Sequence, residues 1–195
     1  LTHFYVMGFM TVTFASFVYP IYFDDRYMAD RVSLSMFWVY ILAIPFYLFF
    51  NVRVTGDYIP LMETVAYDLT PEIHNWFTRI DPFTNGMPSL HIGLPFAIWL
   101  TMTRWDEDGR WMKFRRLLVA FIALTAFSII YLGIHWAIDI IGGMLVAIAS
   151  VTITERTHKG IWTVADERLF TRKLARLIDD PKGFMKELRT YLNQR

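Results

Sequence analysis

The chain has 195 residues, a net charge of +1 and no cysteine, with 55% hydrophobic, 17% aromatic and 19% charged side chains. The apolar share exceeds, and the charged share falls below, the averages of soluble domains. The near-neutral charge gives no case for nucleic-acid binding, and the lack of cysteine excludes disulfides and thiolate metal sites.

Five runs almost free of Lys, Arg, Asp and Glu read as membrane spans: 3–23, 34–52, 88–103, 115–134 and 136–154. The run 88–103 is short for a span, and Asp139 is the one charge in 136–154. Five such runs leave too little polar surface for a soluble chain, so the expected fold class is all-α, a polytopic transmembrane helix bundle. One membrane domain is expected over 1–154, followed by a basic amphipathic cytoplasmic tail over 155–195.

Orientation follows the basic residues. The loop 104–116 carries Arg104, Arg110, Lys113, Arg115 and Arg116, and the tail carries more. That side is read as cytoplasmic. The loop 24–33 falls on the same side, although Arg26 and Arg31 there face three aspartates. The segment 53–87 and the turn around His135 then fall on the extracytoplasmic face. A sixth helix upstream of residue 1 is expected to return the N-terminus to the cytoplasm.

The segment 53–87 is long for a plain connection. Thr70-Pro71-Glu72 is a helix-start pattern, so a short helix is expected over 71–80; a second can fit over 60–68, and the whole reads as a lid. In the tail, Leu169, Phe170, Leu174, Leu177 and Ile178 share one helical face; Phe184, Leu188, Tyr191 and Leu192 resume the pattern after Pro181. Such a helix lies on the anionic inner leaflet or packs on its own membrane domain; both readings stand.

Two stretches carry ionisable groups at membrane depth, where such groups are functional candidates by default. His135 and Asp139, at i and i+4, share a helix face. A carboxylate there can accept the proton of one ring nitrogen and leave the other as a lone pair facing outward, as a nucleophile or base requires. A purely structural His–Asp bond is the alternative. Upstream, Met87-Pro88-Ser89-Leu90-His91 opens an apolar helix, with Asn85 as its expected cap. Helix N-termini bind anions. Ser89 can donate to a phosphate oxygen and His91 can protonate a leaving oxygen.

Together the stretches resemble the signature motifs of the type 2 phosphatidic acid phosphatase superfamily. Its second motif reads Pro-Ser-Gly-His; Pro88, Ser89 and His91 match, and Leu90 replaces the glycine. Its third motif reads Ser-Arg, five residues, His, three residues, Asp; Ser128, His135 and Asp139 match, and Ile129 replaces the arginine. Both departures resemble the inositol phosphorylceramide synthase-like branch, which also has an aromatic residue after the second histidine and glycine soon after the aspartate. Tyr131, Leu132, Trp136 and Gly142-Gly143 fit that variant. The superfamily's first motif, Lys, six residues, Arg-Pro, is not visible; Arg53 is the cation nearest its place, with Arg79 in the lid as a second candidate.

The resemblance implies catalysis by His135, Asp139 and His91 through a phosphohistidine, substrate binding by Ser89, Arg53 and Ser128, and no metal or other cofactor. A metal held by His91, His135 and Asp139 is the chemical alternative. The implied partner is a lipid phosphate or phospholipid in the membrane, with either hydrolysis or transfer to an alcohol. Vanadate haloperoxidases share the ancestral motifs but lack spans. A non-enzymatic membrane transporter or scaffold is the alternative of another class.

Overall fold

The computed structural model describes residues 4–59, 84–165, 172 and 175–193. The lid helices expected over 60–68 and 71–80, the Thr70-Pro71-Glu72 start, Arg79, and Leu169, Phe170 and Leu174 of the tail lie outside the described residues. The chain divides into two compact units, Leu1–Glu155 and Arg156–Arg195.

The first unit is a helical bundle. A π-helical turn, Phe4–Gly8, runs into α1, Phe9–Tyr22. Then come α2, Arg26–Phe49, α3, Leu90–Trp105, α4, Met112–Tyr131, and α5, Ala137–Ala165, which continues past the unit boundary. Among the described residues four helices are long and apolar enough to cross a membrane: Phe4–Tyr22, Arg26–Phe49, Met112–Tyr131 and Ala137–Ile161. The expected span at 88–103 is the 16-residue α3. At about 1.5 Å per residue it falls short of a hydrocarbon core of about 30 Å.

Helix α3 is the centre of the bundle. Its Ile92 packs with Tyr5, Val54, Ile129 and Ile134 at one end. Its Leu94 and Ala97 meet Val39, Ala147 and Val151 midway, and Ile98 and Met102 meet Met28, Val32 and Leu118 at the other end. Inside this core Thr101 Oγ1 donates to Ser35 Oγ at 3.0 Å, an interhelical bond of the kind small hydroxyl residues make in membrane bundles. The remaining helices present Phe14, Phe37, Leu48, Leu117, Phe127 and Leu145 outward. An exterior this apolar matches acyl chains, not water.

The loop expected over 24–33 is corrected to a tight turn. Asp25 caps α2, its Oδ1 accepting from Met28 N at 2.9 Å, so Arg26, Asp30 and Arg31 belong to helical turns. Arg31 is buried and sits over the Tyr27 ring at 3.2 Å, which explains how a charge is carried inside α2. The other Asp25 oxygen accepts from Trp111 Nε1 at 2.8 Å. Asp106, its side chain fully buried, accepts from Trp111 N at 3.1 Å and from Arg115 Nη1 at 3.2 Å. Arg110 reaches the Phe23 carbonyl, and Arg104 pairs with Glu155 at 2.6 Å. The Trp111–Asp25 and Arg110–Phe23 bonds tie the turn between α1 and α2 to the turn between α3 and α4 at the basic end.

In the second unit the helix Pro181–Asn193 starts as its sequence directs. Proline occupies the first turn, and Asp180 Oδ1 accepts from Gly183 N at 3.0 Å.

Candidate active site

The site forms at the end of the bundle opposite the basic turns, where α3 and α5 begin and α4 ends. Helix α4 stops at Tyr131, and Gly133 takes a φ of +70°, a conformation that favours glycine. The Ile134 and His135 amides fold back onto the Ile129 carbonyl at 3.0 and 3.2 Å. That turn drops His135 into the bundle, 4% exposed, one residue before Trp136 leads into α5.

Three side chains then line up. Asp139 Oδ2 accepts from Trp136 N at 2.8 Å and lies 3.4 Å from His135 Nδ1. On the far side of the imidazole, His135 Nε2 lies 3.3 Å from His91 Nδ1. Asp139 is fully buried and His91 is 6% exposed. The three form a chain of contacts, carboxylate to imidazole to imidazole. A carboxylate behind one imidazole fixes its tautomer.

The α3 start is held against α5 by backbone. Ser89 N donates to the Asp139 carbonyl at 3.1 Å, and Tyr47 from α2 donates to the Pro88 carbonyl at 2.6 Å. A Cβ on Gly143 would run into the Ser89 carbonyl, so only glycine permits this approach. Gly142, its neighbour, has ordinary van der Waals room. Ser89 is the N-cap residue of α3 but its side chain makes no capping bond. Its Oγ and Asp139 Oδ1 are buried with no hydrogen-bond partner among the described residues. Such atoms call for an explanation, and a bound ligand supplies one. Asn85, expected to cap this helix, lies four residues too early; it forms a parallel bridge with Val52 instead.

That bridge brings in residues 52–56, of which the sequence singled out only Arg53. Gly86 N donates to the Val52 carbonyl at 2.8 Å, Gly56 N to the Gly133 carbonyl at 3.0 Å, and Trp136 Nε1 to the Arg53 carbonyl at 3.1 Å. Arg53 therefore sits beside the His135 turn through its backbone, with its side chain exposed. Ser128 stands differently. Its Oγ donates to the Leu124 carbonyl at 2.7 Å within α4, and its carbonyl accepts Leu132 N, so its visible contacts shape the turn.

Two further aromatic residues enclose His91. The Tyr5 ring centroid is 4.5 Å away and that of Phe9 is 4.6 Å away. Neither carries a motif or a charge that a sequence reading could use.

The model of the PAP2 superfamily matches residues 1–153, so the chain belongs to that superfamily. It is a membrane enzyme of the phosphatase or phosphotransferase type, with a membrane lipid phosphate as the class of substrate. No curated protein and no solved structure matches it.

Proposed function

We propose that this enzyme cleaves a lipid phosphate or phospho-headgroup through a phosphohistidine on His135. The observation that carries the reading is the chain Asp139–His135–His91, with contacts of 3.4 and 3.3 Å. Asp139 accepts the Nδ1 proton of His135 and leaves Nε2 as the nucleophilic lone pair. That pair attacks phosphorus while the bond from phosphorus to the leaving oxygen breaks, and the leaving oxygen takes its electron pair and a proton from His91. In the second half His91 accepts the proton of an incoming hydroxyl. The hydroxyl oxygen bonds to phosphorus, and the P–N electron pair returns to His135.

Ser89 Oγ and the α3 N-terminus donate to the phosphoryl oxygens. Arg53 supplies the cation, its side chain exposed beside the turn; Arg79 is the second candidate. Ser128 serves the site by holding the turn. The site faces the extracytoplasmic side, because Arg104, Arg110, Lys113, Arg115 and Arg116 gather at the opposite end.

The identity of the incoming hydroxyl separates hydrolase from transferase. Leu90, Tyr131-Leu132 and Trp136 favour a second reading, in which an inositol phosphorylceramide synthase-like branch passes the headgroup to a lipid alcohol. The test is the full chain in nanodiscs supplied with phosphatidic acid, or with phosphatidylinositol with and without ceramide. Phosphate release from phosphatidic acid supports the hydrolase, and transfer that requires ceramide supports the synthase. An active His135→Ala variant rules out the nucleophile, and a protein inert in every arm favours the transporter or scaffold.

A further inference from the structure

We propose that Tyr5 is a positioning residue for His91, one whose hydroxyl alternates between accepting and donating as His91 gives up and regains its proton. The inference rests on the phosphohistidine reading. Tyr5 is 1% exposed and its hydroxyl lies 3.4 Å from His91 Nδ1. It belongs to the π-helical turn Phe4–Gly8 that leads into α1; π-helical turns are rare and frequently lie at functional sites. Four residues on, Phe9 places its ring on His91 as well, so one helix face grips the imidazole with two rings.

Proton placement follows from the neighbours. With the His135 Nδ1 proton directed at Asp139, His135 Nε2 is a lone pair. It lies 3.3 Å from His91 Nδ1, and two lone pairs facing each other there would repel. A His91 proton therefore sits on Nδ1, with the Tyr5 oxygen as its second acceptor; as the acid, His91 is the imidazolium and carries a second proton on Nε2. When a phosphoryl group engages the His135 lone pair, that N–H loses its first acceptor and keeps the second. After the Nδ1 proton of the imidazolium passes to the leaving oxygen, His91 is the neutral imidazole, with its proton on Nε2 and a lone pair on Nδ1. Tyr5 can then rotate its O–H to donate to it. The bond steadies neutral His91 until the incoming hydroxyl supplies a proton to Nδ1. Phenylalanine would keep the ring contact and lose both roles.

The test compares the full chain with Tyr5→Phe, and with Tyr22→Phe as a control whose side chain is 80% exposed. The probes are dioctanoyl phosphatidic acid, whose leaving alkoxide needs a proton, and p-nitrophenyl phosphate, whose leaving phenolate does not. Tyr5→Phe is expected to lower kcat on phosphatidic acid about ten- to hundredfold, the loss of one hydrogen bond to a charged or reacting group. KM should stay within about twofold, because the hydroxyl is placed against His91 and its loss acts through that residue. The pre-steady-state burst of p-nitrophenolate should be unchanged. The imidazole nitrogen-15 resonances of His91 should shift in Tyr5→Phe and not in Tyr22→Phe. Equal loss of the burst and of lipid turnover would reduce Tyr5 to a packing residue, and wild-type turnover in Tyr5→Phe would overturn the proposal. A wild-type chain that forms no phosphoenzyme from either probe would sink the parent reading instead. The nitrogen-15 spectra would then decide alone whether Tyr5 sets the His91 proton, and unchanged spectra would overturn it.

Discussion

His91 Nδ1 and His135 Nε2 stand 3.3 Å apart, too close for a phosphoryl group to lie between them. Attack needs phosphorus about 3–3.5 Å from the nucleophile, and proton transfer needs the leaving oxygen about 2.6–3.2 Å from the acid. Those two lengths alone exceed the observed gap, before any P–O bond is added. The described arrangement is a closed pair, and substrate entry must part the rings. Binding of orthovanadate, a phosphate analogue, should shift the imidazole nitrogen-15 resonances of both histidines together. A titration that moves only one of them, or that proceeds unaltered in His135→Ala, would refute the parting of the pair.

Asp139 backs His135 from a fully buried position, bonded to Trp136 N at 2.8 Å. Asp139→Asn keeps the shape and removes the charge, so His135 can settle with its proton on the wrong nitrogen. Formation of the phosphoenzyme should slow by about 10²- to 10⁴-fold, the usual range for loss of acid–base assistance. Rapid-quench labelling with radioactive substrate measures that step directly. A change confined to KM would mean that Asp139 binds substrate and does not act through His135.

The contact between Gly143 and the Ser89 carbonyl joins α5 to α3 where both begin. Gly143→Ala forces the helices apart and should destabilise the protein by about 1–3 kcal/mol, the range for overpacking a tight interior site. Because Ser89 moves with it, activity should fall further than stability. Gly142→Ala meets only ordinary contacts and should be tolerated. Thermal unfolding in detergent beside initial rates distinguishes the two; equal behaviour of the pair would show that the approach of α5 to the Ser89 carbonyl is not what limits packing.

The parts legible in the sequence are those whose physics is local. Uncharged runs announce helices, and His135 with Asp139 announces a shared face because helical spacing alone brings i and i+4 together. Charge was a poor guide to helix ends. Arg26, Asp30 and Arg31 look like a loop, yet Asp25 caps the helix ahead of them and Arg31 is absorbed by an aromatic ring. The meeting of His91 with His135 could be expected only through the motifs, since 44 positions separate them. Tyr5, Phe9, and the hold of 52–56 on the Gly133 turn depend on long-range packing that leaves no periodicity to read.

At the basic end the structure separates stability from chemistry. Asp106 accepts bonds from Trp111 N and Arg115, and its side chain is fully buried. Asp106→Ala leaves those donors unpaired and should destabilise the bundle by about 1–3 kcal/mol. The reacting residues lie at the other end, so kcat at a temperature where the variant is folded should stay near the wild-type value. A selective loss of kcat with an unchanged melting temperature would show instead that the two ends are coupled.

The absence of cysteine makes membrane orientation directly measurable. Tyr58 is exposed beside Trp136 at the site end, and Glu107 is exposed in the turn between α3 and α4 at the basic end. Single variants Tyr58→Cys and Glu107→Cys therefore report the two faces separately. Lysine and arginine in short loops keep their side of a membrane protein in the cytoplasm. A membrane-impermeant maleimide added to intact cells should accordingly label Tyr58→Cys and spare Glu107→Cys, which should react only after the cells are opened. The opposite pattern would put His91 and His135 on the cytoplasmic face and restrict their substrates to lipids presented in the inner leaflet.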